Sequence, residues 1–529
     1  MKKYRISAIP ALLCLSALTL QGCYEDKGNY DYTPAQEIII GNIESEYYRV
    51  LLEDTISVSP ILYRTVNGIS TQFEPEGWDS EWILMGERVD GVMTNHHVFS
   101  TEDELHKHPL NLSKGDHLLV YKITDPLGIS YFSDVFKVKV ESELGRGMLI
   151  MCDVNGKTRL DHLNYFNHKI TPVYDVIKLT KSDAPLDGAP VSVNCYFDSN
   201  APVNGSGFGS FAVTMMTDLN AFHLNAADFS YIPEYELRSQ FVIEPPSYFR
   251  PSKIIMGRGE SYPLNMGFMS DPGSKNLYYY STMMVPASFW SETNIANKFN
   301  GVRFNASPHA TWDQMSSVIF NDDTKSFYRF SLMMKMTFAY GSDLSNLGKD
   351  LVFVHQQSGQ QVVAVMKSSA GAYSIMRFDA ATGNNVKTYD LNLPDADKIQ
   401  GFAMQWVNMF GYLYYYTEDK VYAINLASIS DPTDSTITVV YPTKDTPEVG
   451  GPKISGLKYV RNGSSGSEAT WRDNLMVFTY DPKLPSESCG TITMYKAQPN
   501  GELKVAELED TKMTFGGFGK IVDADYKIK

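Results

Sequence analysis

The stretch GMLIMCDVNGKTRLDHL, residues 147–163, decides the fold of most of the chain. An apolar run begins beside a glycine, turns through Asn155-Gly156 and returns as a second run, and Asn-Gly between two such runs is a strong signal for a β-hairpin. Similar units recur towards the C-terminus, and the clearest lie at 209–224, 267–281, 351–367, 411–428 and 474–503. Their spacing of roughly 45–60 residues is typical of propeller blades.

This repeat predicts an all-β chain in which residues 142–529 form a β-propeller of about seven blades, with six or eight as alternatives. Helical periodicity is sparse, and the one candidate is a short helix from Thr311 to Phe320. Two or three further β-sandwiches in series would also explain a run of short strands. The recurring pair of strands around an Asn/Gly turn favours the propeller.

Residues 37–141 show a different pattern of short strands bounded by Gly, Pro, Asn and Asp turns. Within HLLVYKITD, residues 117–125, Leu119, Tyr121 and Ile123 fall on one face of an extended strand. About 100 residues of this kind predict an immunoglobulin-like sandwich. We expect Trp82 to be the core tryptophan of one of its sheets.

The N-terminus reads MKKYRISAIPALLCLSALTLQGC. A basic start and a short apolar run predict that residues 1–22 are a secretory signal peptide. Leu20-Gln21-Gly22-Cys23 has the order of a lipobox, in which the cysteine thiolate takes the lipid. The alternative is an ordinary signal peptide that happens to be followed by Cys23. Residues 23–36 are polar and acidic, and they predict a flexible tether between lipid and folded chain.

The formal charge of the chain is −15, and it has no basic run. This balance argues against a nucleic-acid partner. Beyond Cys14 and Cys23, the cysteines are Cys152, Cys195 and Cys489, and an odd number at wide spacing is no disulfide framework. We expect buried free thiols, with a Cys152–Cys195 bridge as the alternative.

The sequence contains no nucleophile elbow, phosphate-binding glycine loop or Cys-His signature, so we predict no catalytic residue and no cofactor. Four histidines, His96, His97, His106 and His108, lie close together among acidic residues. Their spacing fits no common zinc motif, and we interpret them as an exposed loop of the sandwich rather than a metal site. The acidic groups in the C-terminal region, which are Asp322-Asp323, Glu418-Asp419 and Asp390, Asp395 and Asp397, are interpreted as solvated turns.

Aromatic residues are the remaining candidates for ligand contact, because sugar rings present C–H faces that stack on aromatic rings. Trp290, Trp312 and Trp471 lie in polar contexts typical of loops, and we predict that they share a ligand-binding face, with packing between blades as the alternative for each ring. Trp406 has the context of a blade core. The triplets 278–280 and 414–416 are each three tyrosines, and alternate rings should point to opposite sides of a strand and pack between blades.

Two segments resemble a known family. The start CYEDKGNYDY, residues 23–32, resembles that of the PKD-like family lipoproteins of Bacteroidota, and Gly115–Val140 is similar to the last strands of PKD-type sandwiches. The Trp-Asp-Phe-Gly-Asp-Gly hallmark of PKD domains is replaced by SEWILMG at 80–86, and His117 stands where a tyrosine is usual. The acidic Glu25 and Asp26 behind the cysteine resemble a signal for export to the outer face of the outer membrane.

Members of this family tend to be encoded beside an outer-membrane transporter of the starch-utilisation type and its glycan-binding lipoprotein. The resemblance therefore implies a polysaccharide-utilisation setting, with polysaccharide, transporter and membrane as partners. We expect a non-catalytic lipoprotein on the cell exterior that binds glycan or supports a glycan-uptake complex. The alternatives are a propeller-fold polysaccharide hydrolase or lyase, and a scaffold that contacts only proteins.

Overall fold

A computed structural model describes residues 37–50, 55–86, 88–89, 92–93, 96–109, 115–141, 144–166, 169–198, 210–241, 245–256, 266–281, 294–313, 315–357, 360–405, 411–427, 437–443, 451–459, 471, 473–508 and 511–527. The chain divides into two compact units, Met1–Glu141 and Ser142–Lys529. Strands dominate both units, so the predicted all-β class is confirmed. Within the described residues no helix is long and apolar enough to cross a bilayer.

The first unit contains thirteen described strands. They are β1 (Glu37–Gly41), β2 (Glu46–Val50), β3 (Thr55–Val58), β4 (Ile61–Val66), β5 (Ile69–Gln72), β6 (Asp79–Leu84), β7 (Arg88–Val89), β8 (Val92–Met93), β9 (His97–Ser100), β10 (Leu105–Pro109), β11 (Gly115–Thr124), β12 (Ser130–Phe132) and β13 (Phe136–Glu141). The main sheet has the order β2-β13-β11-β6-β9, with β12 paired to β11. The other sheets are β1-β4-β5, β3-β10 and the short pair β7-β8.

Among the described residues, an apolar core lies between the main sheet and strands of the β1-β4-β5 and β3-β10 sheets. It joins residues of β3, β4 and β10 to residues of β6, β11 and β13 in the main sheet. Leu119, Tyr121 and Ile123 of β11 all face this core, as their alternation predicts, although Val120 on the other face is also buried. The arrangement is a two-layered β-domain.

Trp82 is at the centre of this core and is fully buried, as predicted. Its ring lies 4.4 Å from that of Tyr121 and edge-on to Phe136. The indole N–H donates a 2.8 Å hydrogen bond to the carbonyl of Glu102, so the one polar atom of the side chain is satisfied.

The second unit contains thirty described strands. They are β14 (Arg146–Val154), β15 (Lys157–Phe166), β16 (Lys169–Val173), β17 (Pro190–Asp198), β18 (Ser210–Thr217), β19 (Ala221–Asn225), β20 (Lys253–Met256), β21 (Met266–Asp271), β22 (Asn276–Ser281), β23 (Lys298–Phe299), β24 (Val302–Arg303), β25 (Ser317–Asn321), β26 (Ser326–Ser331), β27 (Met336–Ala339), β28 (Lys349–Gln356), β29 (Gln361–Ser368), β30 (Tyr373–Asp379), β31 (Lys387–Leu391), β32 (Gly401–Met404), β33 (Tyr412–Tyr416), β34 (Val421–Asn425), β35 (Ile437–Tyr441), β36 (Lys453–Lys458), β37 (Leu475–Tyr480), β38 (Gly490–Ala497), β39 (Leu503–Val505), β40 (Glu507–Leu508), β41 (Thr511–Lys512), β42 (Thr514–Phe518) and β43 (Lys520–Lys527). Among the elements that the structure describes in full, one α-helical turn, Val176–Leu179, and four 3₁₀ turns, Pro233–Tyr235, Leu237–Gln240, Ser342–Leu344 and Ala396–Lys398, connect them.

Seven sheets of three or more described strands follow one another along this unit. The first has the order β16-β15-β14-β43, the second β17-β18-β19, the third β20-β21-β22, the fourth β25-β26-β27, the fifth β28-β29-β30-β31, the sixth β32-β33-β34-β35 and the seventh β36-β37-β38-β39, with β42 paired to β38. All of their strand pairs are antiparallel.

The hairpin of residues 147–163 has the predicted form. Strands β14 and β15 pair along their length and are joined by Asn155 and Gly156 at φ 55° and 78°. Two positive φ values in a two-residue loop match the right-handed twist of the strands, and Asn-Gly adopts them with little strain.

Each sheet shares an apolar core with the next. Seven clusters of buried residues join the first sheet to the second, the second to the third and so on, and the last joins the seventh back to the first. The tyrosine triplets confirm the predicted alternation: Tyr278 and Tyr280 pack between the second and third sheets, and Tyr279 between the third and fourth. Both faces of every sheet are therefore buried against neighbours.

The C-terminal strand belongs to the first sheet. Strand β43 pairs antiparallel with β14, from Gly147 opposite Lys527 to Asp153 opposite Lys520. This pairing joins two segments that are more than 360 residues apart in the sequence.

Two smaller expectations have clear outcomes. The helix predicted from Thr311 to Phe320 is wrong: Thr311 lies in a segment without regular secondary structure, and Ser317–Asn321 is a strand whose five residues are all buried between the third and fifth sheets. Burial on both faces produces a continuous apolar run that imitates a helix.

Cys152, Cys195 and Cys489 are buried free thiols, so the alternative Cys152–Cys195 bridge is wrong.

Candidate functional site

The second unit contains a partly open cavity of about 450 Å³. Its lining comes from the strands β17, β20, β28, β32, β36 and β43 and from residues 310–312, which precede β25. Six of the seven sheets therefore contribute a strand to it, and the segment that leads into the fourth sheet contributes the rest. The volume is in the range of small-molecule sites, roughly 300–1,000 Å³.

Aromatic rings form part of the lining. Trp312 is half-buried, with its ring packed against the core between the third and fourth sheets. Phe353, Phe402 and Tyr459 are also half-buried and line the same cavity. A partly exposed ring in a cavity offers an apolar face to a ligand.

The two neighbours of Trp312 are anchored by hydrogen bonds. Thr311 donates from its hydroxyl to Gln356 Oε1 at 2.5 Å, and the same hydroxyl accepts from the amide of Val318 at 2.8 Å. Asp313 Oδ2 accepts from Gln360 Nε2 at 3.1 Å. With both flanking residues bound, the backbone that carries Trp312 is fixed between the fourth and fifth sheets.

Two carboxylates of β43 hold the edge of β17. Asp523 accepts from the amide of Val193 at 3.0 Å, and Asp525 accepts from the amide of Cys195 at 2.8 Å. Asp523 also forms a 2.6 Å ion pair with Lys458. These carboxylates therefore join the first two sheets and use much of their hydrogen-bonding capacity on the protein itself.

Lys253, the first residue of β20, is a second cation in the lining. Its side chain is exposed within the cavity, and no described carboxylate forms an ion pair with it. The surrounding protein removes water from the ammonium and lowers its pKa, the Lys458 charge lowers the pKa further, and Asp523 opposes them. The same ammonium affects His309, because burial and then the Lys253 charge lower the pKa of that imidazole to about 4.

The predicted ligand face is only partly assembled. Trp312 lines the cavity, whereas Trp290, Trp406 and Cys23 lie outside the described residues. The prediction for Trp471 is wrong: its side chain is fully buried in the core between the seventh and first sheets, where Tyr165 and Tyr526 cover it.

The prediction that the four histidines form one loop is wrong. His97 lies on β9 and His106 and His108 on β10, although all but the half-buried His108 are exposed. The Nδ1 atom of His108 lies 3.5 Å from Glu102 Oε2. Among the residues that the structure describes, no three His, Cys, Asp or Glu side chains are placed to hold a metal ion.

The candidate carboxylates have local partners. Asp323 accepts from both the amide and the side chain of Asn305, and Glu418 pairs with Lys453. Asp395 accepts from Tyr422 and pairs with Lys398. None of these acidic groups lines the 450 Å³ cavity.

Sequence reasoning did not find Lys253, Lys458, Asp523 or Asp525. They lie in ordinary strand patterns, and no local motif distinguishes them from surface charges. Only the order of the sheets brings them together.

Comparison with known proteins adds one assignment. Residues 23–190 match the model of the PKD-like family. The PKD-like segment covers the described part of the first unit and continues through β16 to Pro190, and the resemblance of residues 23–32 and 115–140 is confirmed.

No curated protein matches the chain. Among solved structures, similar chains include a DUF4784 family protein from Bacteroides caccae, with TM-score 0.29, 8% identity and coverage of 93% of this chain and 98% of that one. A nidogen/laminin complex has TM-score 0.31 and 11% identity, with coverage of 55% and 92%. YCF48 from Cyanidioschyzon merolae has TM-score 0.30 and 6% identity, with coverage of 63% and 92%.

Proposed function

We propose that residues 142–529 form a seven-bladed β-propeller that β43 closes by completing the first blade. Four observations support this: seven antiparallel sheets in succession, seven shared cores that lead back to the first sheet, the pairing of β43 with β14, and one cavity lined by strands of six sheets and by the segment before the remaining one. Radial repetition of this kind leaves few open sheet edges.

We further propose that the chain is a non-catalytic, lipid-anchored surface protein that binds a saccharide in this cavity. The observation that carries the proposal is the position of Trp312, half-buried on a fixed backbone in a lining that also contains charged and polar side chains. Sugar rings need both an apolar face for their C–H groups and polar groups for their hydroxyls, and this lining offers both.

Replacing Trp312 by alanine should weaken saccharide binding about tenfold or more, since loss of a stacking ring costs on the order of 1–3 kcal/mol. The measurement is calorimetric titration of the full chain, purified in detergent, against a panel of oligosaccharides. The matched control is Trp78→Ala, which removes another half-buried tryptophan from the first unit and should leave binding unchanged.

The same panel separates the other functions. If the wild-type chain retained no saccharide, or if both variants bound equally well, the saccharide site would be lost. Release of reducing sugar would assign an enzyme instead. Co-purification with an outer-membrane transporter, without affinity for sugar, would assign a scaffold.

Anchoring at Cys23 is proposed from the lipobox order of residues 20–23. Replacing Cys23 by alanine should abolish incorporation of labelled palmitate and release the chain from the membrane fraction. Cys489→Ala changes a buried thiol and should leave labelling intact. Undiminished labelling of the Cys23 variant would contradict the anchor, and protease accessibility on whole cells tests the proposed outward location.

A further inference from the structure

We infer that the cavity binds an anionic saccharide and that Lys253 pairs with its carboxylate or sulfate group. This inference rests on the proposed saccharide site and adds the chemical class of its ligand. It depends on which charges in the lining are already neutralised and which are exposed.

The two acidic side chains of the lining are committed to the protein. Asp525 is only 3% exposed, and its Oδ2 accepts from the amide of Cys195. The Asp523 side chain is 15% exposed and bonds both to Val193 and to Lys458. Neither presents a free carboxylate to a ligand, although together they balance the formal charges of the two lysines.

Of the two lysines in the lining, one is neutralised by an acidic side chain and the other is not. Lys458 is held by Asp523 at 2.6 Å, whereas no described acidic side chain forms an ion pair with Lys253. Among the described lysine and aspartate side chains of the lining, Lys253 is therefore the one whose charge is open to the cavity. An anionic group would find its complement there.

The surroundings make this ammonium costly without a ligand. Nearby protein removes part of the water from the ammonium, which lowers its pKa, and an anion in contact would restore some of the lost stabilisation. Binding and protonation would therefore reinforce each other.

Trp312 and Lys253 supply two different contacts. Both line the same cavity, the ring from the segment before β25 and the ammonium from β20. A uronic acid or sulfated sugar has an apolar ring face and an anionic substituent in one residue, so it uses both contacts. A neutral sugar would leave Lys253 without a partner.

The test compares matched ligands on the full chain by calorimetric titration. One arm uses oligogalacturonate and its methyl ester, and the other uses a sulfated oligosaccharide and its unsulfated parent. We expect the wild-type chain to prefer the charged member of at least one pair by about tenfold. The pair that shows the preference distinguishes carboxylate from sulfate.

Variants then assign the preference to one residue. Lys253→Gln should remove it, Lys253→Arg should retain it, and Lys504→Gln, at an exposed lysine of β39, should leave it unchanged. The melting temperature of Lys253→Gln should not fall, because the substitution removes an unpaired ammonium. Should this variant fail to fold, the wild-type comparison of charged and neutral ligands still decides.

Equal binding of charged and neutral partners would overturn the inference, and so would a preference that survives in Lys253→Gln. If neutral sugars bound and Trp312→Ala abolished that binding, the saccharide site would stand and only the anionic class would be wrong. If no member of either pair bound, both the proposed saccharide site and the anionic class of its ligand would be refuted.

Discussion

A chain that ends at Gly519 should lose the cooperative unfolding transition of its second unit. Without β43 the first sheet loses its pairing at β14, and the core between the seventh and first sheets loses Ile521, Ala524 and Tyr526. Loss of a large buried side chain costs about 3 kcal/mol or more. The combined loss of these core side chains is therefore similar to the whole free energy of unfolding of a domain, about 5–15 kcal/mol. Urea unfolding followed by far-ultraviolet circular dichroism measures this.

The matched control for the truncation is Lys520→Ala. This side chain lies at the start of the same strand, is exposed, and places its ammonium 4.6 Å from the centre of the Tyr480 ring. Its loss should cost no more than about 1 kcal/mol, because an exposed cation–π contact is worth little. A truncated chain with the wild-type urea midpoint would show that β43 does not close the unit.

Trp82→Ala should destabilise the first unit by about 3–5 kcal/mol. The substitution leaves a cavity among Tyr121, Phe136 and the other core side chains, and it removes the hydrogen bond that satisfies the carbonyl of Glu102. The urea midpoint of the first unit should therefore fall, as seen by near-ultraviolet circular dichroism.

Trp78→Ala is the comparison within the same unit. Trp78 is half-buried, and its ring stacks on that of Tyr131 at 5.7 Å. Loss of this stacking should cost only about 1 kcal/mol in addition to the loss of the apolar surface that Trp78 buries. If the two variants unfolded at the same urea concentration, the central role of Trp82 in the core would be refuted.

Local patterns in the sequence determined much of the fold. The Asn155-Gly156 hairpin follows from turn chemistry that two residues carry by themselves. The alternation in Tyr278, Tyr279 and Tyr280 follows from the period of a strand, which holds whatever the neighbouring sheets are. Trp82 was predicted to be in the core because it lies in a short apolar strand between turns, which is also a local pattern.

The same local reasoning failed where neighbours come from afar. Trp471 follows a polar stretch in the sequence, yet Tyr165 and Tyr526 cover it from strands of another sheet. The apolar run before Phe320 was interpreted as a helix, because burial on both faces hides the alternation of a strand. In both positions tertiary packing outweighed the local signal.

By itself, then, the sequence determined the β class, the hairpins, the core tryptophan of the first unit and the similarity of its N-terminal segment to the PKD-like family. Only the tertiary structure decided which charges and rings share a cavity. Lys253, Lys458 and Asp523 lie on three different sheets and Trp312 lies in the segment before a fourth, so their positions depend on the order in which the sheets pack. Hydrophobic periodicity records which face of a strand is buried, but it carries no information about which distant strand lies against it.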